Sequence, residues 1–164
     1  MCNYVTARSD SKVYDGTTSS SATPTITDGS LAPGDTACFS QSYDSANAGE
    51  RTLMPGGSID DGNCGNNYSV TFVGVAGAIH QRLITVTAAR STKVYDGTTA
   101  CSAVPTITGG SLAAGDTARF AESFDTAAFG NDKTLMPFGC VNDGNGGNNY
   151  RVTFETASGA IRQG

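Results

Sequence analysis

The sequence predicts an all-β protein made of two tandem modules, and three observations predict it. The segment KVYDGTT occurs twice, at residues 12–18 and 93–99, so Tyr95 follows Tyr14 by 95 − 14 = 81 positions. PTITDGSLAPGDTA (24–37) is answered by PTITGGSLAAGDTA (105–118), and SVTF (69–72) by RVTF (151–154). A fixed internal period of this length marks a repeat architecture. The composition is that of strands and turns: Gly is 21 of 164 residues, charged residues are 15%, Trp is absent, and Thr, Ser, Asn and Asp are plentiful. No window places apolar residues at the i, i+3, i+4, i+7 spacing of an amphipathic helix.

The period sets the modules at residues 1–82 and 83–164. Each has roughly the length at which one small core sustains itself. With about six to eight short strands per module, the expected form is a β-sandwich of immunoglobulin-like type. A small mixed module of β-grasp type is the alternative.

The elements follow in order. Residues 83–89 (LITVTAA) alternate, with Ile84, Val86 and Ala88 on one face and Thr85 and Thr87 on the other. Period two over this length is a half-buried strand, and residues 3–7 are its counterpart. Residues 93–96 form a second short strand, ended by a turn at Asp96–Gly97, or Asp15–Gly16 in the first copy. Tyr14 and Tyr95, just before the turn, are expected to pack their rings inward. TPTIT (23–27) is a short strand, and Pro24 or Pro105 places it at a sheet edge or a strand start. A turn follows at Pro33-Gly34-Asp35. Phe39 and Tyr43, matched by Phe120 and Phe124, share one face of the next strand. AGERTLMP (48–55) and FGNDKTLMP (129–137) are expected to be exposed loops, because the offset grows by one there and Pro137 answers Pro55. In the closing strands Tyr68, Val70 and Phe72 face one way and Ser69 and Thr71 the other; Tyr150, Val152 and Phe154 repeat this.

Little in the chain carries catalytic chemistry. The five cysteines, Cys2, Cys38, Cys64, Cys101 and Cys140, never fall at equivalent positions: Cys38 answers Arg119, Cys64 answers Gly146, Cys101 answers Ser20 and Cys140 answers Ser58. The module therefore needs no disulfide to fold. Pairs Cys38–Cys64 and Cys101–Cys140 within the copies are one option, with Cys2 free or intermolecular; unpaired, part-buried thiols are the preferred one. No Cys/His spacing reads as zinc. The loop DDGNCGNN offers Asp60, Asp61, Asn63 and Asn66 as oxygen ligands for Ca²⁺, and the second copy offers Asn142, Asp143, Asn145 and Asn148. The competing reading is a polar turn in which Asn and Asp bond their own backbone. Lys12 with Asn66 or Asn67 suggests an isopeptide cross-link, against the plainer reading of an exposed lysine. His80 stands alone in the connector HQR, answered by Arg162. It has no nucleophile partner, and neither a GxSxG elbow nor a phosphate loop is present, so an enzyme is not expected. A net charge of −5 without a basic patch argues against nucleic acid. No apolar run approaches the ~20 residues of a membrane-spanning helix. Phe129 and Phe138 are interface leads, since the first copy has Ala48 and Gly56 there. Packing between modules is their plainer use.

The combination of KVYDGTT, ITxGSLAxGDTA and GNNYxVTF resembles the YDG-type repeat domain. Such domains occur in tandem in very large secreted bacterial proteins, many described as filamentous-haemagglutinin-like adhesins. The resemblance covers nearly the whole chain, twice. It implies an extracellular location, an adhesive, spacer or fibre-forming role, and no enzyme; neighbouring copies of the same repeat at the bacterial cell surface are the expected partners, and no cofactor is expected beyond the Ca²⁺ option. The scattered cysteines depart from the usual pattern of such repeats. The expected function is therefore a structural or adhesive module of a surface fibre. The short connector at 81–84 is expected to make a semi-rigid rod, and strand addition by a neighbour's LITVTAA-like segment is a possible route to filaments. The alternative is a carbohydrate- or host-surface-binding module using Phe129 and Phe138. The second copy stops at GAIRQG, where the first continues into LITVTAA, so the chain is expected to be a segment of a longer array.

Overall fold

A computed structural model describes residues 2–164, and every described element is a strand. Two compact units divide between His80 and Gln81. The first contains β1 (Cys2–Thr6), β2 (Ser11–Val13), β3 (Thr25–Asp28), β4 (Thr36–Tyr43), β5 (Gly49–Asp60), β6 (Ser69–Val73) and β7 (Val75–His80). The second repeats them as β8 (Arg82–Thr87), β9 (Ser91–Val94), β10 (Thr106–Gly109), β11 (Thr117–Phe124), β12 (Gly130–Asn142), β13 (Tyr150–Glu155) and β14 (Ala157–Arg162).

Each unit has a three-stranded and a four-stranded sheet, both curled. The orders are β3-β1-β6 and β2-β7-β5-β4 in the first unit, and β10-β8-β13 and β11-β12-β14-β9 in the second. The alternation in LITVTAA does what period two requires: Ile84, Val86 and Ala88 are buried, at 2%, 0% and 6% exposure. That strand is the centre of its own unit's sheet, with β10 antiparallel on one side and β13 parallel on the other. In the second unit Ala88, Phe124, Leu135 and Ile161 form one buried cluster, with Cys101 and Ala157 packed against it. Tyr43, Leu53 and Ile79 are the buried counterparts in the first unit. Full burial of the leucine, isoleucine and phenylalanine side chains among these stabilises by about 1.5–3 kcal/mol each. The two sheets of each unit also touch through aromatic rings. Phe39 meets Phe72 edge to face at 6.0 Å, and Phe120 meets Phe154 at 5.9 Å.

Two expectations fail. The AGERTLMP and FGNDKTLMP segments are not loops but parts of the longest strands, β5 and β12. Proline is tolerated there because β5 loses one neighbour part-way along. Leu53 is the last residue of β5 paired with β7, opposite Val75, whereas Pro55 faces only Gln41 of β4. Its missing N–H falls on the side without a partner strand. The extra residue in the second copy is absorbed as a bulge. Gly130 pairs with Ile161 and Lys133 with Gly159, whereas Gly49 and Arg51 pair with Ile79 and Gly77 without a slip.

The motif tyrosines also differ. Tyr14 is buried, but Tyr95 is 51% exposed. Their backbones are held alike, Tyr14 N donating to His80 O at 2.8 Å and Tyr95 N to Arg162 O at 2.7 Å. What the motif fixes is the backbone at the strand end. The rings buried beneath it are Tyr43 and Phe124, both 2% exposed.

Candidate functional site

The duplicated motif folds into a loop closed over its own lysine. Lys93 leaves β9 with its Nζ 2.9 Å from Asp96 Oδ1, 2.9 Å from Thr98 O, 3.1 Å from Thr98 Oγ1 and 2.8 Å from Ala100 O. Lys12 does the same with Asp15 (2.9 Å), Thr17 O (3.0 Å), Thr17 Oγ1 (3.0 Å) and Ser19 O (2.8 Å). Three ammonium protons thus meet four acceptors, and the cation has no donor left for a ligand. Asp96 Oδ1 in turn accepts from Thr98 N at 2.9 Å and Thr98 Oγ1 at 2.8 Å. Gly97, at φ 80°, lets the chain reverse between them, as does Gly16 at φ 82°. Beneath each ammonium lies an aromatic face, Tyr43 at 5.2 Å and Phe124 at 5.3 Å. The lysine side chains are only 17% and 18% exposed.

The electrostatics follow. The Lys93 hydrogen bond and those from Thr98 hold the Asp96 carboxyl at about 2, well below the usual carboxylate range. Burial raises Asp15, but the Lys12 and Thr17 bonds outweigh it and leave its carboxyl lowered as well. The ammonium is fully occupied, and Oδ1 of each carboxylate is spent on the lysine and the Thr17 or Thr98 donors. They fix a loop, and isolated bridges (Ser19 to Ser42, Ala100 to Ser123) attach that loop to the end of β4 or β11.

Two further networks close the unit. Tyr68 donates its hydroxyl to Asp35 Oδ2 at 2.5 Å and accepts from Ala32 N at 2.8 Å. Tyr150 repeats this with Asp116 at 2.6 Å and Ala113 N at 2.8 Å. The GNNY tyrosine therefore ties the last sheet to the GDTA turn. The proposed Ca²⁺ loop is occupied by its own backbone. Asp61 Oδ1 accepts from Asn63 N and Gly65 N at 2.8 Å each, and Oδ2 from Asn67 N at 3.1 Å. Asp143 is bonded alike by Asn145, Gly147 and Asn149. Burial raises both carboxyls, but these amides outweigh it and leave Asp61 and Asp143 below their ordinary value. Asn63 and Asn145 spend their side-chain amides on Asn67 and Asn149. Asp60 and Asn142 only end β5 and β12. Among the described residues no group of three or more His, Cys, Asp or Glu is placed to hold a metal ion.

The remaining sequence leads are dispersed. Lys12 spends its donors on the YDGTT loop and not on Asn66 or Asn67, so the cross-link has no geometry. No disulfide joins the five cysteines. Cys2, Cys38, Cys64 and Cys140 are exposed rather than part-buried, because they sit on outward strand positions or in the Asn/Gly loop; Cys101 alone is half-buried. Cys64 adopts φ 58°, where its counterpart Gly146 has φ 67°. His80 is exposed at the end of β7 and contributes its carbonyl to Tyr14. Phe129 and Phe138 are 56% and 52% exposed, and Phe138 shares its outward face of β12 with Met136.

One buried pair escaped the sequence reading. Gln41 bonds Arg8 N and Arg8 O at 2.7 Å each, and Glu122 accepts from Ala89 N at 2.7 Å and Cys101 Sγ at 3.6 Å. Both are buried, at 6% and 3% exposure. Their signal was positional: each lies two residues before Tyr43 or Phe124, on the inward face of its strand.

A seven-strand unit used twice, closed each time by the same lysine loop, defines a tandem all-β repeat protein. The chain belongs to the YDG domain family, whose model matches residues 2–76 and again 80–159. No curated protein and no solved structure matches the chain.

Proposed function

We propose that the chain is a structural and adhesive segment of a secreted bacterial surface fibre or giant adhesin, assembled end to end from such units outside the cell. One observation carries this reading: the two copies share four polar anchors bond for bond, and apart from a few buried exchanges such as Gln41 for Glu122 they differ mainly at exposed positions. Lys12/Lys93, Asp15/Asp96, Tyr68/Tyr150 and Asp61/Asp143 are spent inward. That is how a unit valued for its fold is built. In this reading each unit is a sandwich of immunoglobulin-like type, supported by its three- and four-stranded sheets. A single residue, Gln81, separates β7 from β8, which leaves little linker. Because each unit supplies its own LITVTAA-like central strand, pairing between molecules falls to outer strands such as β4 and β11. Immunogold electron microscopy of intact source cells tests the proposal, using antibody against this chain. Label on filaments outside the cell supports it; label confined to the interior refutes it.

A second reading, a carbohydrate- or host-surface-binding module, is favoured by the exposed Met136 and Phe138 on one face of β12. Its test is glycan-array binding that Phe138→Ala abolishes.

A further inference from the structure

We infer that each unit is a mechanical clamp, a domain built to resist tension applied along the chain. The first two strands of each unit run parallel to its last two. In the first unit β1 runs parallel to β6, from Cys2↔Ser69 to Thr6↔Val73, and β2 runs parallel to β7, from Ser11↔Ala78 to Val13↔His80. In the second, β8 runs parallel to β13, from Arg82↔Tyr150 to Thr87↔Glu155, and β9 parallel to β14, from Ser91↔Gly159 to Val94↔Arg162.

Tension on a tandem chain pulls the entering strand of a unit towards its N-terminus and the leaving strand towards its C-terminus. β1 and β2 make up the entering leg and β6 and β7 the leaving leg, so each parallel pair, β1–β6 and β2–β7, joins one leg to the other and its partners are dragged in opposite senses along their own axes; β8–β13 and β9–β14 repeat this. The interstrand hydrogen bonds lie across that motion and are loaded together, in shear. An antiparallel hairpin pulled apart at its open end loads one bond at a time and peels.

Two features strengthen the clamp. The entering strand is central in its sheet in both units (β3-β1-β6, β10-β8-β13). The leaving strand is central in the other (β2-β7-β5, β12-β14-β9). Each parallel pair thus has one member held on both sides, while its partner, β6, β2, β13 or β9, lies at a sheet edge. The lysine loop then carries the register past the end of the short strand. Tyr95 N is held by Arg162 O, and Lys93 grips Thr98 and Ala100 beyond it. The β9–β14 register has four residue pairs against three in β2–β7, so the first unit yields earlier.

This inference goes beyond the proposed cell-surface role and rests on strand order alone. A weak clamp would not alter where the protein is displayed, and a non-surface location would not alter the force. Resistance to force is set by the unfolding rate and not by equilibrium stability, so it needs its own measurement. The experiment is single-molecule force spectroscopy on the intact two-unit chain between marker domains. A second attachment uses Thr117→Cys and Asn142→Cys, with the native cysteines replaced by serine. Thr117 and Asn142 face each other at the open end of the β11–β12 hairpin, and both are exposed. Melting curves of both forms confirm equal folding before they are pulled. The expected result is an end-to-end unfolding force several-fold above that across Thr117 and Asn142, with two unequal end-to-end events. Equal or lower end-to-end force in equally stable molecules overturns the inference.

Discussion

Lys93 Nζ lies 2.9 Å from Asp96 Oδ1, and Lys12 lies 2.9 Å from Asp15 Oδ1. The same ion pair, on the same turn, closes both units. It is the physical content of the repeated KVYDGTT segment, and it makes the motif part of the architecture.

The ion pair makes the fold acid-sensitive. The Asp96 carboxyl stands at about 2 in the folded chain against an ordinary value of 3.8. Asp10, Asp15, Asp61 and Asp143 are lowered in the same sense, Asp10 chiefly by the Ser20 hydroxyl. A depressed folded value means the unfolded chain takes up protons first. The stabilisation is therefore complete above the ordinary carboxylate value and is lost as pH falls towards 2. Urea unfolding at a series of pH values is expected to show stability dropping below about pH 4. A flat profile down to pH 2.5 would contradict it.

Lys93→Met keeps much of the apolar stem but removes the cation from Asp96, Thr98 O and Ala100 O. The expected cost is about 1.5–3 kcal/mol, that of a charge-assisted hydrogen bond. Amide exchange should rise at Thr98, whose N–H is held by Asp96, and stay slow through β8.

Tyr150→Phe deletes one oxygen that serves Asp116 and Ala113 N, and both Tyr150 and Ala113 are buried. Leaving a buried amide without its acceptor costs about 1–3 kcal/mol. Tyr68→Phe breaks the same bonds in a half-buried setting and should cost less. Thermal melts of the two variants, each resolved by unit, make the comparison.

Cys64→Gly is expected to stabilise. Cys64 is the one non-glycine at positive φ among the described residues, and the second unit already has Gly146 there. Relief of the left-handed strain is worth about 1 kcal/mol, less the entropy that glycine adds to the unfolded chain. Gly146→Cys should shift the midpoint of the second unit the other way.

Much of the fold was legible, because a repeated pattern states each element twice. The alternation in LITVTAA and in Tyr150-Val152-Phe154, and the Asp-Gly turn, are local signals that tertiary context did not override. The long strands β5 and β12 were missed for a physical reason. Pro55 and a one-residue insertion read as loop marks, yet a one-sided partner absorbs the first and a bulge the second. The lysine anchor was invisible for another reason. Half of its acceptors are backbone oxygens, of Thr17, Ser19, Thr98 and Ala100, which no side-chain pattern advertises. The Asn/Asp loop carried both readings in its letters, and only the orientation of its amides chose the self-bonded turn.

KVYDGTT is an internal anchor, its lysine held by its own aspartate and threonine. Lysine-ammonium NMR on the intact chain tests it most directly, because the protein has three lysines: Lys12, Lys93 and Lys133. Slowly exchanging ammonium protons are expected for Lys12 and Lys93, each coupled to its aspartate, and fast exchange for the half-buried Lys133, which bonds Thr126 Oγ1 and meets no carboxylate. Fast, equal exchange at all three would contradict it.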